Sequence, residues 1–293
     1  MIRTRLAPTP SGLLHAGNAL SFIVTWLIAR SQGGWILLRI DDLDRARRRP
    51  EYVDDIFRTL EWLGLDYDEG PAGPDDLSRH WSQHLRLEAY HRLLEDLAQG
   101  GHLYACRCSR REIQAISADG LYPGTCRLRG RPLTEAGSAW RIRVPEDTRI
   151  DFREWEQPAR RSVELARELG DFVVRQKNGL PAYQVASLAD DLHWKIDFIV
   201  RGEDLLASTA AQCFLALSSG RPAFTETVFW HHGLLTDEQG GKLSKSQGAA
   251  SLQAWRERGR SPEELFRQAA EWLRLPPLGN LSELLAAYSG RTT

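Results

Sequence analysis

The stretch Arg5-Leu6-Ala7-Pro8-Thr9-Pro10-Ser11-Gly12-Leu13-Leu14-His15-Ala16-Gly17-Asn18 constrains the fold more than any other part of the chain. Residues 4–6 read as a strand, Pro8 to Gly12 as a turn, and His15 to Arg30 as an amphipathic helix. A strand that ends in a turn and opens a helix presents free backbone N–H groups and the positive end of the helix dipole. Such a turn suits phosphates, and Gly17 allows a ligand to come close to the backbone.

The pattern continues in the same style. Trp35 to Ile40 reads as a buried strand, Pro50 to Leu63 as a helix with Val53, Ile56, Leu60 and Leu63 on one face, and Leu85 to Leu97 as another. Strands alternating with helices predict a parallel α/β sheet. From Cys106 to about Pro181 the texture changes to short strands (Trp140 to Val144, Phe172 to Arg175), an Asn178-Gly179 hairpin signal and much arginine, which reads as an insertion. Tyr183 to Leu192, Phe198 to Arg201 and Ser208 to Leu217 then resume the alternation. The last part is helical, with Ser261 expected as an N-cap and Pro262 at the first helical position.

With 42% hydrophobic and 26% charged residues and ten tryptophans, the 293-residue chain falls in the globular class and not the disordered one. The longest apolar run, Ala19 to Ala29, is too short for the ~20 residues of a bilayer span. No cleavable leader pattern opens the sequence, so the expected address is cytoplasmic. A net charge of −1 supplies no general attraction for nucleic acid, so RNA contact has to come from local basic patches.

Far downstream stands Gly240-Gly241-Lys242-Leu243-Ser244-Lys245-Ser246. Two lysines beside a glycine pair can neutralise a departing pyrophosphate. The first stretch resembles the HIGH signature of class I aminoacyl-tRNA synthetases, and the second resembles their KMSKS loop with Leu for Met. Together with Arg39-Ile40-Asp41-Asp42-Leu43-Asp44 and Val200-Arg201-Gly202-Glu203-Asp204, they look like the signatures of glutamyl-tRNA synthetases over residues 1 to about 250.

The resemblance implies a catalytic set of His15, Lys242 and Lys245, with His15, Gly17, Asn18 and Lys245 on ATP. It implies a glutamate pocket of Arg5, Leu6, Ala7, Pro8, Thr9, Asp41, Tyr183 and Arg201, with Asp41 at the substrate amino group. Guanidinium groups suit a carboxylate side chain. The family usually carries glutamate at the position of Asp41, and its glutaminyl branch carries aspartate. Asp42 and Asp44 read equally well as an acidic helix-capping turn.

Three of the four cysteines lie in Cys106-Arg107-Cys108 and Tyr122-Pro123-Gly124-Thr125-Cys126. Three thiolates with this spacing predict one structural zinc ion, with Tyr122 or a water as fourth ligand. Cys213 reads as a core residue. Arg107, Arg110, Arg111, Arg127, Arg129 and Arg131 surround the cluster, and Arg45, Arg47, Arg48 and Arg49 form a second run. Both read either as solvated faces or as RNA contacts.

The fold expected is a Rossmann-type parallel sheet interrupted by a zinc-bearing subdomain. A first catalytic half would cover 1–100, the insertion 101–181, the second half 182–235, and the lysine loop with a short helical region 236–293. A zinc-bearing insertion without a large anticodon-binding region resembles the glutamyl-queuosine tRNA(Asp) synthetase branch. That resemblance implies magnesium-ATP and L-glutamate as substrates, glutamyl-AMP formed without tRNA, transfer to queuosine at the wobble position in the anticodon arm of tRNA(Asp), and a monomer away from membranes. The alternatives at this point are a truncated glutamyl- or glutaminyl-tRNA synthetase that charges a 3′ end, and a silent RNA-binding module.

Overall fold

A computed structural model describes residues 1–118, 120–233 and 251–290. The chain opens with β1 (Arg3–Leu6), α1 (Ala16–Ser31), β2 (Trp35–Leu38), α2 (Pro50–Leu63), the short α3 (Pro74–Asp76) and α4 (Leu87–Gln99). β3 (Leu103–Cys106), α5 (Arg110–Ile116), β4 (Ala139–Ile142), β5 (Arg149–Glu154), β6 (Arg161–Glu164), α6 (Leu165–Glu168) and β7 (Val173–Arg175) follow. Next come α7 (Tyr183–His193), β8 (Phe198–Gly202), α8 (Leu206–Ser218) and β9 (Val228–His232). After residue 250 the described elements are α9 (Leu252–Glu257), α10 (Glu263–Trp272) and α11 (Leu281–Ser289).

The chain divides into two units, one of residues 1–85, 196–204 and 230–293, the other of 86–195 and 205–229. In the first, β1 and β2 pair in parallel, Arg3 opposite Trp35 through Leu6 opposite Leu38. β8 lies against β1, where Thr4 Oγ1 donates to Phe198 O at 2.8 Å and Asp197 N to Arg3 O at 3.0 Å. α1 packs on all three strands and on α10 and α11. That placement explains its composition. Leu20, Ile23, Val24, Leu27 and Ile28 are fully covered, and with Phe22 and Trp26 they make the helix apolar almost all round, as a central helix must be.

α2 is amphipathic instead, with Val53, Ile56, Leu60 and Leu63 inward. It stops at Gly64, whose left-handed φ of 70° closes the helix as glycine does at no steric cost. α10 begins at Glu263 with Pro262 as its N-cap, one residue later than expected, because the first turn closes on the Pro262 carbonyl, which accepts from Phe266 N at 3.1 Å.

The second unit holds an antiparallel sheet in the order β3-β4-β7. It also holds the antiparallel pair β5-β6, with Val228 and Phe229 of β9 parallel to Arg153 and Glu154 of β5. Asp171, 4% exposed, ties this unit together by accepting from Tyr104 Oη at 2.6 Å, Val144 N at 2.7 Å and Arg127 Nη1 at 3.3 Å. The Asn178-Gly179 signal is a tight turn, with Gln176 N on Leu180 O and Gly179 at φ 91°. Cys213 is fully buried in α8, as its apolar neighbours led us to expect. Among the described residues no helix is long and apolar enough to cross a membrane.

Candidate active site and candidate metal centre

The pairing of β1 and β2 extends past both strands, with Arg39 N on Leu6 O and Asp41 N on Pro8 O, each at 2.9 Å. Arg5, Leu6, Ala7 and Pro8 therefore run beside Arg39, Ile40 and Asp41, and Thr9 follows at the exposed turn. Arg5 (5% exposed) lies on β1 and Arg201 (4%) on β8, the strand against it. Two buried guanidinium groups thus come from adjoining strands of one unit. Tyr183, 38% exposed, opens α7 in the other unit.

Asp41 is held from its own segment. Arg39 grips it as a fork, Nε to Oδ1 at 2.7 Å and Nη2 to Oδ2 at 3.1 Å, with both side chains buried. Gln83 Nε2 adds a longer contact to Oδ1 at 3.4 Å, and Gln83 Oε1 accepts from Leu43 N at 3.1 Å. Sequence reasoning quoted Arg39 without a role and missed Gln83 altogether. Nothing local marks Gln83, since it reaches Asp41 from 42 positions away in sequence.

The acidic turn is not a helix cap. Asp42, 1% exposed, accepts from Ser82 Oγ and Gln83 N, both at 2.8 Å, and from Arg48 Nη1 at 2.9 Å, while α2 begins only at Pro50. Its task is to seat the Ser82-Gln83 bend beneath Asp41. Arg48 is consequently an internal partner, which removes it from the second arginine run as a phosphate contact. Arg47 lies 3.4 Å from the exposed Asp44.

His15 is the residue that precedes the first turn of α1, in extended backbone geometry. Its N–H donates to Asn18 Oδ1 at 3.1 Å, and its carbonyl accepts from Asn18 N at 2.9 Å. Ala16, Gly17 and Asn18 form that first turn, half-buried, with no acidic side chain among them. The helix end therefore keeps its positive character. Lys242 and Lys245 lie outside the described residues.

Cys106, at the end of β3, Cys108 and Cys126 bring their three sulfurs within 4.8 Å of one another. All are free thiols. Tyr122 Oη stands among them, accepting from Cys106 Sγ at 3.3 Å and from Cys126 N at 2.8 Å, and lies 3.7 Å from Cys108 Sγ. Arg141 lies 3.8 Å over the Tyr122 ring and Lys177 Nζ donates to Arg107 O at 2.6 Å, so the cluster is pinned to the sheet beside it. Burial raises the Tyr122 hydroxyl and the Cys108 thiol. Burial also opposes ionisation of Cys126, but hydrogen bonds from Tyr122, the backbone at Arg107 and the neighbouring thiols outweigh it and bring that group down to about 7. A metal centre needs thiolates, and this one begins with a thiol near the neutral range. The donor set can hold a four-coordinate metal ion.

Around it the arginines divide. Arg131 Nη1 donates to Glu135 at 2.7 Å and Arg107 comes within 3.7 Å of the same carboxylate. Arg129, Gly130, Arg131, Pro132 and Glu135 line an open groove of about 760 Å³.

The family described as tRNA synthetases class I (E and Q), catalytic domain, matches residues 1–274. The chain is 40% identical over 286 residues to a glutamyl-Q tRNA(Asp) synthetase of Symbiobacterium thermophilum, covering 92% of this chain and 86% of that protein. It is 36% identical over 281 residues to a glutamate–tRNA ligase of the same organism, covering 90% of this chain and 56% of the ligase. The crystal structure of a glutamate-tRNA synthetase from Elizabethkingia anophelis superposes with a TM-score of 0.79 at 26% identity, over 98% of this chain and 65% of that one.

Proposed function

The chain belongs to the catalytic-domain family of the class I glutamyl- and glutaminyl-tRNA synthetases, and from that premise we propose that it activates glutamate with ATP and passes it to queuosine at the wobble position of tRNA(Asp). The observation that carries the amino-acid choice is the pair of buried arginines, Arg5 and Arg201, on adjoining strands beside the extended Asp41 segment. A guanidinium pair matches a side-chain carboxylate in charge as well as in hydrogen-bond geometry, whereas a neutral amide lacks the charge. Asp41, held by Arg39, receives the α-ammonium group, and Ala7, Pro8 and Thr9 complete this side of the pocket.

The chemistry is positioning and charge stabilisation. The α-carboxylate of glutamate attacks the α-phosphorus of ATP in line, a P–O bond forms, and pyrophosphate leaves with the electron pair of the bond that breaks. His15 and the first-turn amides of α1 receive the phosphate charge, and Lys242 and Lys245 neutralise the leaving group. Magnesium accompanies ATP as the counter-ion of the triphosphate. A hydroxyl of the modified base then attacks the mixed anhydride, losing its proton as AMP departs.

The metal centre fits zinc on its distances. With Zn–S bonds of about 2.3 Å, a tetrahedral shell sets sulfurs about 3.8 Å apart and a phenolic oxygen about 3.5 Å from each sulfur. Cys108 Sγ and Cys126 Sγ are 3.7 Å apart, and Tyr122 Oη lies 3.3 and 3.7 Å from two sulfurs. The cysteines and Tyr122 would hold one zinc ion, which would staple the loops around it and take no part in the reaction.

The likeness to glutamyl-Q tRNA(Asp) synthetases, 40% identical at 86% of such a protein's length, supports the acceptor. The deciding experiment offers radiolabelled glutamate with ATP to tRNA(Asp) containing queuosine, the same tRNA without it, and tRNA(Glu). Base-labile label on the first alone supports the reading. Label at the 3′ end of tRNA(Glu) would make the chain an ordinary glutamyl-tRNA synthetase core, the alternative suggested by its likeness to the glutamate–tRNA ligase.

A further inference from the structure

Leu14, the residue before His15, is buried and held at both of its backbone polar groups. Its N–H donates to Asp55 Oδ2 at 2.9 Å, and its carbonyl accepts from Leu252 N at 2.9 Å. Asp55 projects from α2 with its side chain 2% exposed and forms an ion pair through Oδ1 with Arg256 Nη2. Arg256, on α9, also donates through Nη1 to Thr59 Oγ1 at 2.7 Å, one turn along α2. The Asp55 carboxylate thus holds the peptide that leads into Leu14, the Leu252 amide holds the one that leads into His15, and the Arg256 guanidinium grips Asp55 from the same helix as Leu252. On the apolar face that α2 otherwise presents, with Val53, Ile56 and Leu60 covered, a buried aspartate weakens packing unless it is paired.

We propose that Asp55 and Arg256 are positioning residues of the nucleotide site, setting the Leu14 backbone and with it His15 at the N-terminus of α1. A second tether acts on the same helix. His232 Nε2 lies 2.5 Å from Ser21 Oγ in α1, its Nδ1 2.9 Å from Gly233 O, and its ring stacks on Trp272 at 4.6 Å. The chain flanks of residues 234–250 are therefore both fastened to the segment carrying His15, at His232 on one side and at Leu252 and Arg256 on the other. Because α9 contributes the Leu252 amide as well as the arginine, breaking the ion pair loosens the carbonyl side of Leu14 through α9 and the N–H side through the side chain at position 55. Small displacements of a catalytic group from this cause carry large rate penalties with little change in substrate affinity.

The inference rests on the reading of the His15 turn as the ATP site, and its test separates the two. Asp55→Asn keeps the shape and an acceptor for Leu14 N–H but leaves Arg256 without its counter-charge; Arg256→Gln does the converse, and Arg256→Lys keeps the positive charge. Folded variants, checked by circular dichroism and melting, are assayed for glutamate-driven pyrophosphate exchange. For Asp55→Asn and Arg256→Gln, kcat should fall between roughly tenfold and a hundredfold with glutamate KM within about twofold, and Arg256→Lys should recover part of the loss. Amide hydrogen exchange supplies the second readout. Peptides covering Leu14 to Asn18 should take up deuterium faster in both variants while those covering Ile36 to Leu38 stay as in the unaltered protein. Unchanged kcat in folded variants, or unchanged exchange at Leu14 to Asn18, overturns the inference alone. No glutamate-driven exchange in the unaltered protein overturns the ATP-site reading and the inference with it.

Discussion

Arg201 illustrates why a buried cation in this pocket counts for more than one on a rim. Truncating it removes a charge that the protein has already desolvated, so the loss falls on substrate affinity. Arg201→Ala should raise the glutamate KM strongly and cost several kcal/mol in kcat/KM for pyrophosphate exchange, and equal activation of glutamine by the unaltered protein would refute the assignment. His232 offers a separate test that needs no substrate. Burial lowers its pKa, a carbonyl contact at Gly233 and the charge of Asp204 only partly opposing it. The unfolded chain then binds that proton more readily than the native one. Its contribution is complete above the unfolded pKa of about 6.5 and declines as pH falls through that value. Urea melts of the unaltered protein and His232→Gln should therefore converge as pH is taken from 7.5 to 5.5 by roughly the drop that linkage assigns to one histidine. Parallel losses in the two proteins would show that the ring titrates as freely in the folded state as outside it.

At the scale of elements, the cysteine cluster connects the end of β3 with the Tyr122 to Cys126 turn, and through Arg141 with β4. Protein purified without chelator should carry one equivalent of zinc by elemental analysis, and none found would remove the metal from the account. Cys108→Ser breaks the shell at its half-exposed ligand, where α5 and its Ser109-Glu112 capping box begin. Its effect should be local to the second unit: faster proteolysis there, and a greater loss of glutamate transfer to RNA than of adenylate formation, which draws on the first unit. The arginine run at 45–49 teaches a related lesson. Arg48 is spent on Asp42 and Ser78. Substituting it should lower stability through the loss of a partner from a buried carboxylate and should not reduce the salt dependence of RNA binding, whereas substitution of Arg129 on the open groove should.

At the scale of the whole molecule, the residues assigned to ATP and most of those assigned to glutamate belong to one unit and the cysteine cluster to the other. If adenylate chemistry is complete without an RNA signal, pyrophosphate exchange with glutamate should run at full rate in the absence of any tRNA. A requirement for tRNA before exchange begins would place the chain with synthetases that use RNA to finish their active site.

The sequence by itself determined those features whose cause is local. The strand–turn–helix around His15, the amphipathic α2 ending at Gly64, and the cysteine spacing that brings three thiols together all follow from hydrophobic period, turn chemistry and short loops. The roles read for Lys242 and Lys245 rest on motif order alone, and both lie outside the described residues. Only the tertiary structure decided which polar side chains are spent on the protein. Asp42 looked like a cap and proved to be the seat of the Ser82-Gln83 bend; Arg48 looked like a surface charge and proved to be its partner. Gln83 and Arg256 carried no sequence signal, because their partners stand 42 and 201 positions away, at Asp41 and Asp55. Hydrophobic periodicity reports which face of an element is buried, but a buried polar group is satisfied by whatever donor or acceptor the fold delivers, and that pairing exists only once distant segments have come together.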